Sequence, residues 1–324
     1  LSAACDNTSR WPDILPFPWN KPISWSNLTM IKPVMKFLYY LFGISFYSWG
    51  GLALSEVKKT EIAPHRVVSM SLASDEILLD IIPACGGYDR IVALSTFSDQ
   101  PQSSNVTETA KFIRGRVHSE LETIINLKPD LVIAASFNRQ EVIQALREKN
   151  IKVLKLEKFS SAMDIAQNIT TIGEYTNCQS AASVLRHRFL QQLSEVQKKL
   201  PRKTRPLRLI NYSPEMTIMA QKTLFDDLIT RAGGINVASE KGLKFWPKID
   251  AETLLSLKPD VVIIADQNVA EKEREIRNHP VWKKMVAVQK GRLIFIDPKE
   301  ALSTSHYFAN AVRRLQINLE KHIQ

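Results

Sequence analysis

Cysteine is scarce in this chain, with three residues in 324, at positions 5, 85 and 178. So low a count excludes a small scaffold built on disulfides. Cys85 and Cys178, the two in the main body, are read as buried free thiols, following the usual burial preference of cysteine. Pairing in an oxidising compartment is the alternative, and spacing does not decide it. Histidine is sparse too, at 65, 118, 187, 279, 306 and 322. No two share the short spacing of metal-ligand motifs, which disfavours a site for bare metal. Catalytic fingerprints are missing: the chain has no G-x-G-x-x-G after its first strand-like run, no P-loop, no G-x-S-x-G elbow and no H-E-x-x-H. Gly86-Gly87 and Gly233-Gly234 follow helical stretches, where glycine acts as a terminator. No basic run is interleaved with aromatics, so the net charge of +10 does not indicate nucleic acid.

What is present begins with MKFLYYLFGISFYSWGGLALS, Met35 to Ser55. Lys36 supplies a positive start, Phe37–Trp49 an apolar body, and Gly51-Leu52-Ala53 or Ala53-Leu54-Ser55 a small-x-small cleavage site. The run is read as an export signal over 35–55. Residues 1–34, aperiodic and proline-containing, are read as an upstream extension that precedes a true start at Met35. A retained anchor is the alternative, since the uncharged run is almost long enough to span a bilayer and Lys58-Lys59 follow it. Either reading places the remaining chain outside the membrane. Removing residues 1–53 lowers the net charge only to +8, because Arg10, Lys21, Lys32 and Lys36 depart together with Asp6 and Asp13. A basic exported chain suits an anionic surface or ligand.

The chain repeats itself. HSELETIINLKPDLVIAAS (118–136) and KIDAETLLSLKPDVVIIAD (248–266) share a short helical stretch, a Leu-Lys-Pro-Asp turn and a β-branched apolar run. Runs apolar on both faces fit parallel sheets covered by helices. Four strands are expected in a first lobe (66–71, 90–96, 130–136, 152–157) and three in a second (207–213, 260–266, 292–297). Between them Ala181, Leu185, Phe189, Leu193, Val196 and Leu200 recur at near four-residue spacing, which predicts one long amphipathic helix ended by Pro201. The expected organisation is an N-terminal lobe over 64–175, a linking helix over 176–201 and a C-terminal lobe over 205–324. Such a helix permits a small rocking motion rather than wide closure.

RVVSMSLASDEILLDI, DRIVALSTFSDQP, ELETIINLKPDLVIA, LFDDLITRAGGINVA, WPKIDAETLLSLKPDVVII and GRLIFID occur in that order. Over roughly 64–320 this set resembles the cobalamin- and iron-siderophore-type periplasmic substrate-binding proteins of ABC importers. The resemblance implies an α/β fold of two Rossmann-like lobes on a single backbone helix, with the ligand in the cleft between them. It further implies a monomer with no cofactor of its own. Its cargo would be a metal chelate (corrinoid, ferric siderophore or haem), delivered to an ABC importer permease. No cysteine follows the cleavage region, so a lipid-bearing cysteine is not indicated.

In open α/β sheets ligands bind beyond the carboxyl ends of the strands. Those ends carry Ser71 and Leu72; Phe97, Ser98 and Asp99; and Phe137 in the first lobe, with Tyr212, Trp246, Asp266 and Asp297 in the second. Arg114 and Arg116 would clamp acid groups of a ligand and His118 would bind metal or a polar group, where relatives carry Gly-Gly and aromatics. A solvated basic loop is the alternative there. His306-Tyr307 forms a further pair for the mouth. By the resemblance, Glu76 of the first lobe and Asp227, with neighbouring Asp226, of the second would meet permease arginines. Against the binding-protein reading stand a two-domain Rossmann-like enzyme and a surface receptor for a protein partner, the latter requiring an exposed apolar patch.

Overall fold

The computed structural model describes residues 63–200 and 205–323, which fall in one compact unit. The expected leader and all residues upstream of it lie outside the described residues. Five parallel strands make the first sheet: β1 (Val67–Ser69), β2 (Ile91–Ser95), β3 (Gly115–Val117), β4 (Leu131–Ala135) and β5 (Val153–Leu156). Their order is β3-β2-β1-β4-β5. The second sheet has the order β7-β6-β8-β9, built from β6 (Arg208–Asn211), β7 (Ile235–Asn236), β8 (Val261–Ala265) and β9 (Leu293–Ile296), also parallel. The long apolar runs became the inner strands: Leu131, Val132, Ile133, Val261 and Val262 are wholly buried.

Two edge strands were not expected. β3 lies inside Arg114–His118, read above as a loop; Gly115 lets it close on β2, because a Cβ there would stand 2.1 Å from the Val92 carbonyl oxygen. β7 is only two residues long.

The repeated segment has a definite structural job. In each copy a short helix (Leu121–Asn126, Ala251–Ser256) precedes an inner strand. Lys128 and Lys258 both take left-handed backbone, with φ of 47° and 46°. The aspartate that follows ties down the lobe's first strand. Asp130 accepts from the backbone N–H of His65 (2.7 Å) and Arg66 (2.9 Å), and Asp260 accepts from that of Arg208 (2.9 Å). In return the Arg66 guanidinium donates to the Leu127 carbonyl (2.6 Å) and that of Arg208 to Leu257 (3.1 Å). Carbonyls orphaned at both helix ends are thereby satisfied.

The linking helix spans Gln179–Lys199 and buries Ala182, Leu185, Phe189, Leu193 and Val196. These side chains belong to one hydrophobic cluster that also holds Val67 and Leu131 of the first lobe and Leu209 and Val261 of the second. Helix Ala162–Tyr175 packs closely on it: a Cβ on Gly173 would stand 2.3 Å from the Ala182 Cβ. Cys85 and Cys178 are disulfide-bonded with Cα atoms 5.7 Å apart, which corrects the expectation of free thiols. Packing of the first helix, Leu72–Ile81, against the linking helix brings them together. Arg90, nearly fully buried beside them, donates to the Cys85 carbonyl (2.9 Å) and to that of Thr176.

Of the carboxylates expected to meet a permease, Glu76 is internal and Asp226 and Asp227 are half-buried. Glu76 is 1 % exposed. It accepts from the backbone N–H (3.0 Å) and side-chain amide (2.9 Å) of Asn105, and from the hydroxyl of Ser305 in the C-terminal segment. Asn105 itself donates to the Lys299 carbonyl at 2.9 Å. Burial raises the Glu76 pKa, opposed by the hydrogen bonds from Ser305 and Asn105. Asp227 accepts from the backbone N–H of Ala162 and from Arg231 Nε, each at 2.7 Å, and Asp226 accepts from the Ser239 hydroxyl. All three carboxylates take partners within the chain, and Glu76 is too deeply buried to meet a permease arginine. His306 is likewise turned inward, with Nε2 3.0 Å from Asp80.

Asp75, fully buried, accepts from the Ser95 N–H (3.1 Å) and hydroxyl at the end of β2. Burial pushes its pKa up to about 7, with hydrogen bonds from Ser69 and Ser95 opposing.

Three outcomes follow. Replacing both Cys85 and Cys178 with serine should lower unfolding free energy by about 2–4 kcal/mol, read by urea denaturation with and without reductant. Glu76→Ala should cost about 2–4 kcal/mol by leaving buried donors unsatisfied, with the same readout. Because the folded pKa of Asp75 lies above its ordinary 3.8, its contribution to stability is complete below about pH 4 and lost as pH rises through 7. Asp75→Asn should remove that decline, and an unchanged slope of unfolding free energy against pH would refute the assignment.

Candidate functional site: an aromatic cleft at the strand ends

The order β3-β2-β1-β4-β5 reverses direction at β1/β4, so the loops after those strands diverge and leave a crevice. A cavity of about 980 Å³ opens there. Its walls come from Met70–Ala73 after β1, Phe97 after β2, His118–Glu122 after β3 and Phe137–Arg139 after β4, with Leu302 and Thr304 from the C-terminal half. A second cavity of about 710 Å³ lies between the lobes. Ser136–Phe137 and Glu157–Ser160 face Met219, Lys222–Phe225, Phe245–Trp246 and Ala301–Leu302 across it. Phe137, Leu302 and Thr304 line both cavities, which are therefore two compartments of one cleft. The volumes are those of small-molecule sites.

Exposed apolar side chains concentrate here. Phe97, Phe137, Phe245, Trp246 and Leu302 are between 38 % and 63 % exposed. The rings are arranged in pairs: Phe137 with Phe159 (centroids 5.2 Å), Phe245 with Trp246 (6.4 Å), and Phe97 with His118 (5.6 Å). Apolar surface left open on facing walls is suited to a flat or greasy ligand.

Part of the wall is held under strain. Lys222 and Phe245 are not glycine, yet have φ of 67° and 62°, in left-handed backbone that costs of order 1–2 kcal/mol per residue. Cross-strand hydrogen bonds hold them: the Phe245 N–H donates to the Gln221 carbonyl (2.8 Å) and the Ala220 N–H to that of Phe245 (2.9 Å). The Lys222 ammonium then sits 5.4 Å from the centre of the Phe245 ring.

Of the residues singled out by sequence, Ser71, Leu72, Phe97, His118 and Phe137 line the first compartment, and Phe137 and Trp246 the second. Ser71 also caps the first helix, its hydroxyl accepting from the Ser74 N–H. His118 is oriented by Thr96, whose Oγ1 lies 3.4 Å from its Nδ1.

The others lie elsewhere, each for a definite reason. Arg116 forks onto Asp99 with two contacts of 2.7 Å and onto the Ile113 and Ala110 carbonyls, closing the β3 edge rather than clamping a ligand. Arg114 is exposed outside both compartments. Ser98 is buried and donates to the Ser95 carbonyl. Tyr212 packs edge-on against Trp282 and donates to Glu275 at 2.7 Å; burial raises its pKa, with that hydrogen bond adding to the effect. Asp266 faces Lys272 at 3.6 Å, and Asp297 caps helix Pro298–Ala301.

Sequence reasoning missed Phe159, Phe245, Leu302, Lys158 and Lys222. Phe159 and Lys158 stand at the carboxyl end of β5, so the rule that found Phe137 applies to them. Phe245 adjoins Trp246, while Leu302 carries no local signal.

Among the described residues no cluster of His, Cys, Asp and Glu could hold a metal ion, and no helix is long and apolar enough to cross a membrane. Two parallel-sheet lobes on one helix, with an open aromatic cleft at their strand ends, define a binding protein of the two-lobe, rigid-backbone class. Residues 67–300 match the family described as periplasmic binding protein, and the chain belongs to that family. It is similar to a vitamin B12-binding protein of Photorhabdus laumondii, 29 % identical over 63 % of this chain and 71 % of the relative. It is also similar to an uncharacterized ABC transporter substrate-binding lipoprotein of Bacillus subtilis, 24 % identical over 72 % and 73 %. In fold it resembles a periplasmic haem-binding protein of a Roseiflexus species, with a TM-score of 0.69, 19 % identity, and coverage of 80 % of this chain and 99 % of that one.

Proposed function

We propose that this protein captures a metal chelate, either a corrinoid or an iron chelate such as haem, and delivers it to an ABC importer. The carrying observation is the cleft: open, about 980 Å³ and 710 Å³ in its two compartments, and walled by exposed aromatics from both lobes. Family membership makes it a binding protein that works outside the cytoplasm. Relatives named for vitamin B12 and for ABC-transporter substrate binding support both the class of cargo and the partner. We read it as a periplasmic monomer without catalytic activity. A chelate carries its own donor atoms, so the protein need supply only area and a few polar contacts. The continuous core through the linking helix favours a preformed cleft, which lowers the ordering cost of capture.

Tryptophan-fluorescence titration with cyanocobalamin, a ferric hydroxamate, a ferric catecholate and haemin tests this reading. Saturable quenching by at least one is expected. Trp246→Ala should weaken binding by about tenfold or more, while changing unfolding free energy by under about 0.5 kcal/mol because the side chain is largely exposed. Absence of binding to all four would reject the function.

A further inference from the structure

The two compartments differ in charge. The first is lined by Glu120, Glu122 and Glu141 against Arg139 and His118. The second is lined by Glu157, Lys158 and Lys222, and Glu157 is paired with Lys155 at 3.1 Å. Among the described residues no carboxylate lies within ion-pair distance of Lys158 or Lys222. Lys158 comes from the first lobe and Lys222 from the second, so the two lysines line the same chamber from opposite lobes.

Both lysines are exposed, and each is placed in the chamber wall by its backbone. The backbone of Lys158 is fixed by Asn168, buried in helix Ala162–Tyr175, whose side-chain amide donates to the Lys158 carbonyl at 2.9 Å. Lys222 stands on the left-handed backbone described above and is held over the Phe245 ring. Strain maintained at a cleft wall by neighbouring hydrogen bonds is characteristic of positions that present a side chain to a ligand. Phe159, Phe245 and Trp246 line the same chamber as both lysines.

We propose that the cargo is a planar chelate with acid groups on one edge, its ring against these aromatics and its carboxylates between Lys158 and Lys222. This rests on the reading of the cleft as a chelate site and narrows it. Ammonium-to-carboxylate contacts in a partly desolvated chamber are the strong kind of hydrogen bond. The carboxylates of the first compartment oppose the same ligand in the reverse orientation, so the charge division sets polarity as well as selectivity. A corrinoid whose peripheral acids are amidated offers no ring-edge carboxylate to the lysines, its one anionic group being the phosphodiester of its nucleotide loop.

The test compares haemin, haemin dimethyl ester, cyanocobalamin and a ferric catecholate, followed by absorbance and fluorescence. The proteins are the unaltered chain, the double variant Lys158→Gln/Lys222→Gln, and Trp246→Ala. Haemin is expected to bind tightest, and the double variant to weaken it by about tenfold or more while leaving the uncharged ester unaffected. Equal haemin affinity in the unaltered chain and the double variant overturns the proposal; if Trp246→Ala still weakens binding, the chelate function stands without it. Tighter binding of cyanocobalamin, or of the bulky, non-planar catecholate, overturns it as well. If none of the four binds the unaltered chain, both readings fall.

Discussion

Two carboxylates cross the junction between the lobes, in opposite directions, and the architecture depends on their being satisfied there. Glu76 leaves the first helix to meet Ser305 in the C-terminal segment, and Asp227 leaves the second lobe to hold the Ala162 N–H at the start of a first-lobe helix. A buried carboxylate without partners is far more costly than one with them. Wide separation of the lobes would cost each its cross-lobe hydrogen bond, leaving Glu76 with Asn105 and Asp227 with Arg231. Together with a core that runs unbroken along Gln179–Lys199, this opposes wide separation of the lobes.

A cleft whose walls share one core draws its recognition from surfaces largely formed in advance. The structure supplies them at the strand ends, where backbone polar groups are already committed and side chains are left to face the ligand. The strained pair Lys222 and Phe245 belongs to the same logic: neighbouring hydrogen bonds absorb the conformational cost during folding, so it does not recur on binding. Phe137, which lines both compartments, makes the two halves of the cleft sense a common occupant.

Much of the fold was legible in sequence because it rests on local patterns. The inner strands are continuous apolar runs, the linking helix shows near four-residue spacing, and the Lys-Pro-Asp segment recurs almost unchanged. β3 and β7 were not legible, since three and two residues are too few to establish a period. The aromatics Phe97, Phe137 and Trp246 were found by their place after strands. Tyr212 followed the same rule, yet is turned into the second lobe by Trp282 and by Glu275, the latter 63 residues away in sequence. Glu76 was misjudged for a similar reason. Its acidic side chain early in a helix fits solvent, and its principal partner lies 229 residues downstream. Polar burial is decided by distant partners, which a local pattern does not carry.

The Cys85–Cys178 bond gives the protein's robustness an address. In a reducing compartment the two sulfurs stay apart, and the first helix is held to the linking helix by packing and by Arg90 alone. In oxidising surroundings the same residues are joined across 93 positions of chain. The bond therefore stiffens the molecule in oxidising surroundings, and a reducing compartment would leave it softer.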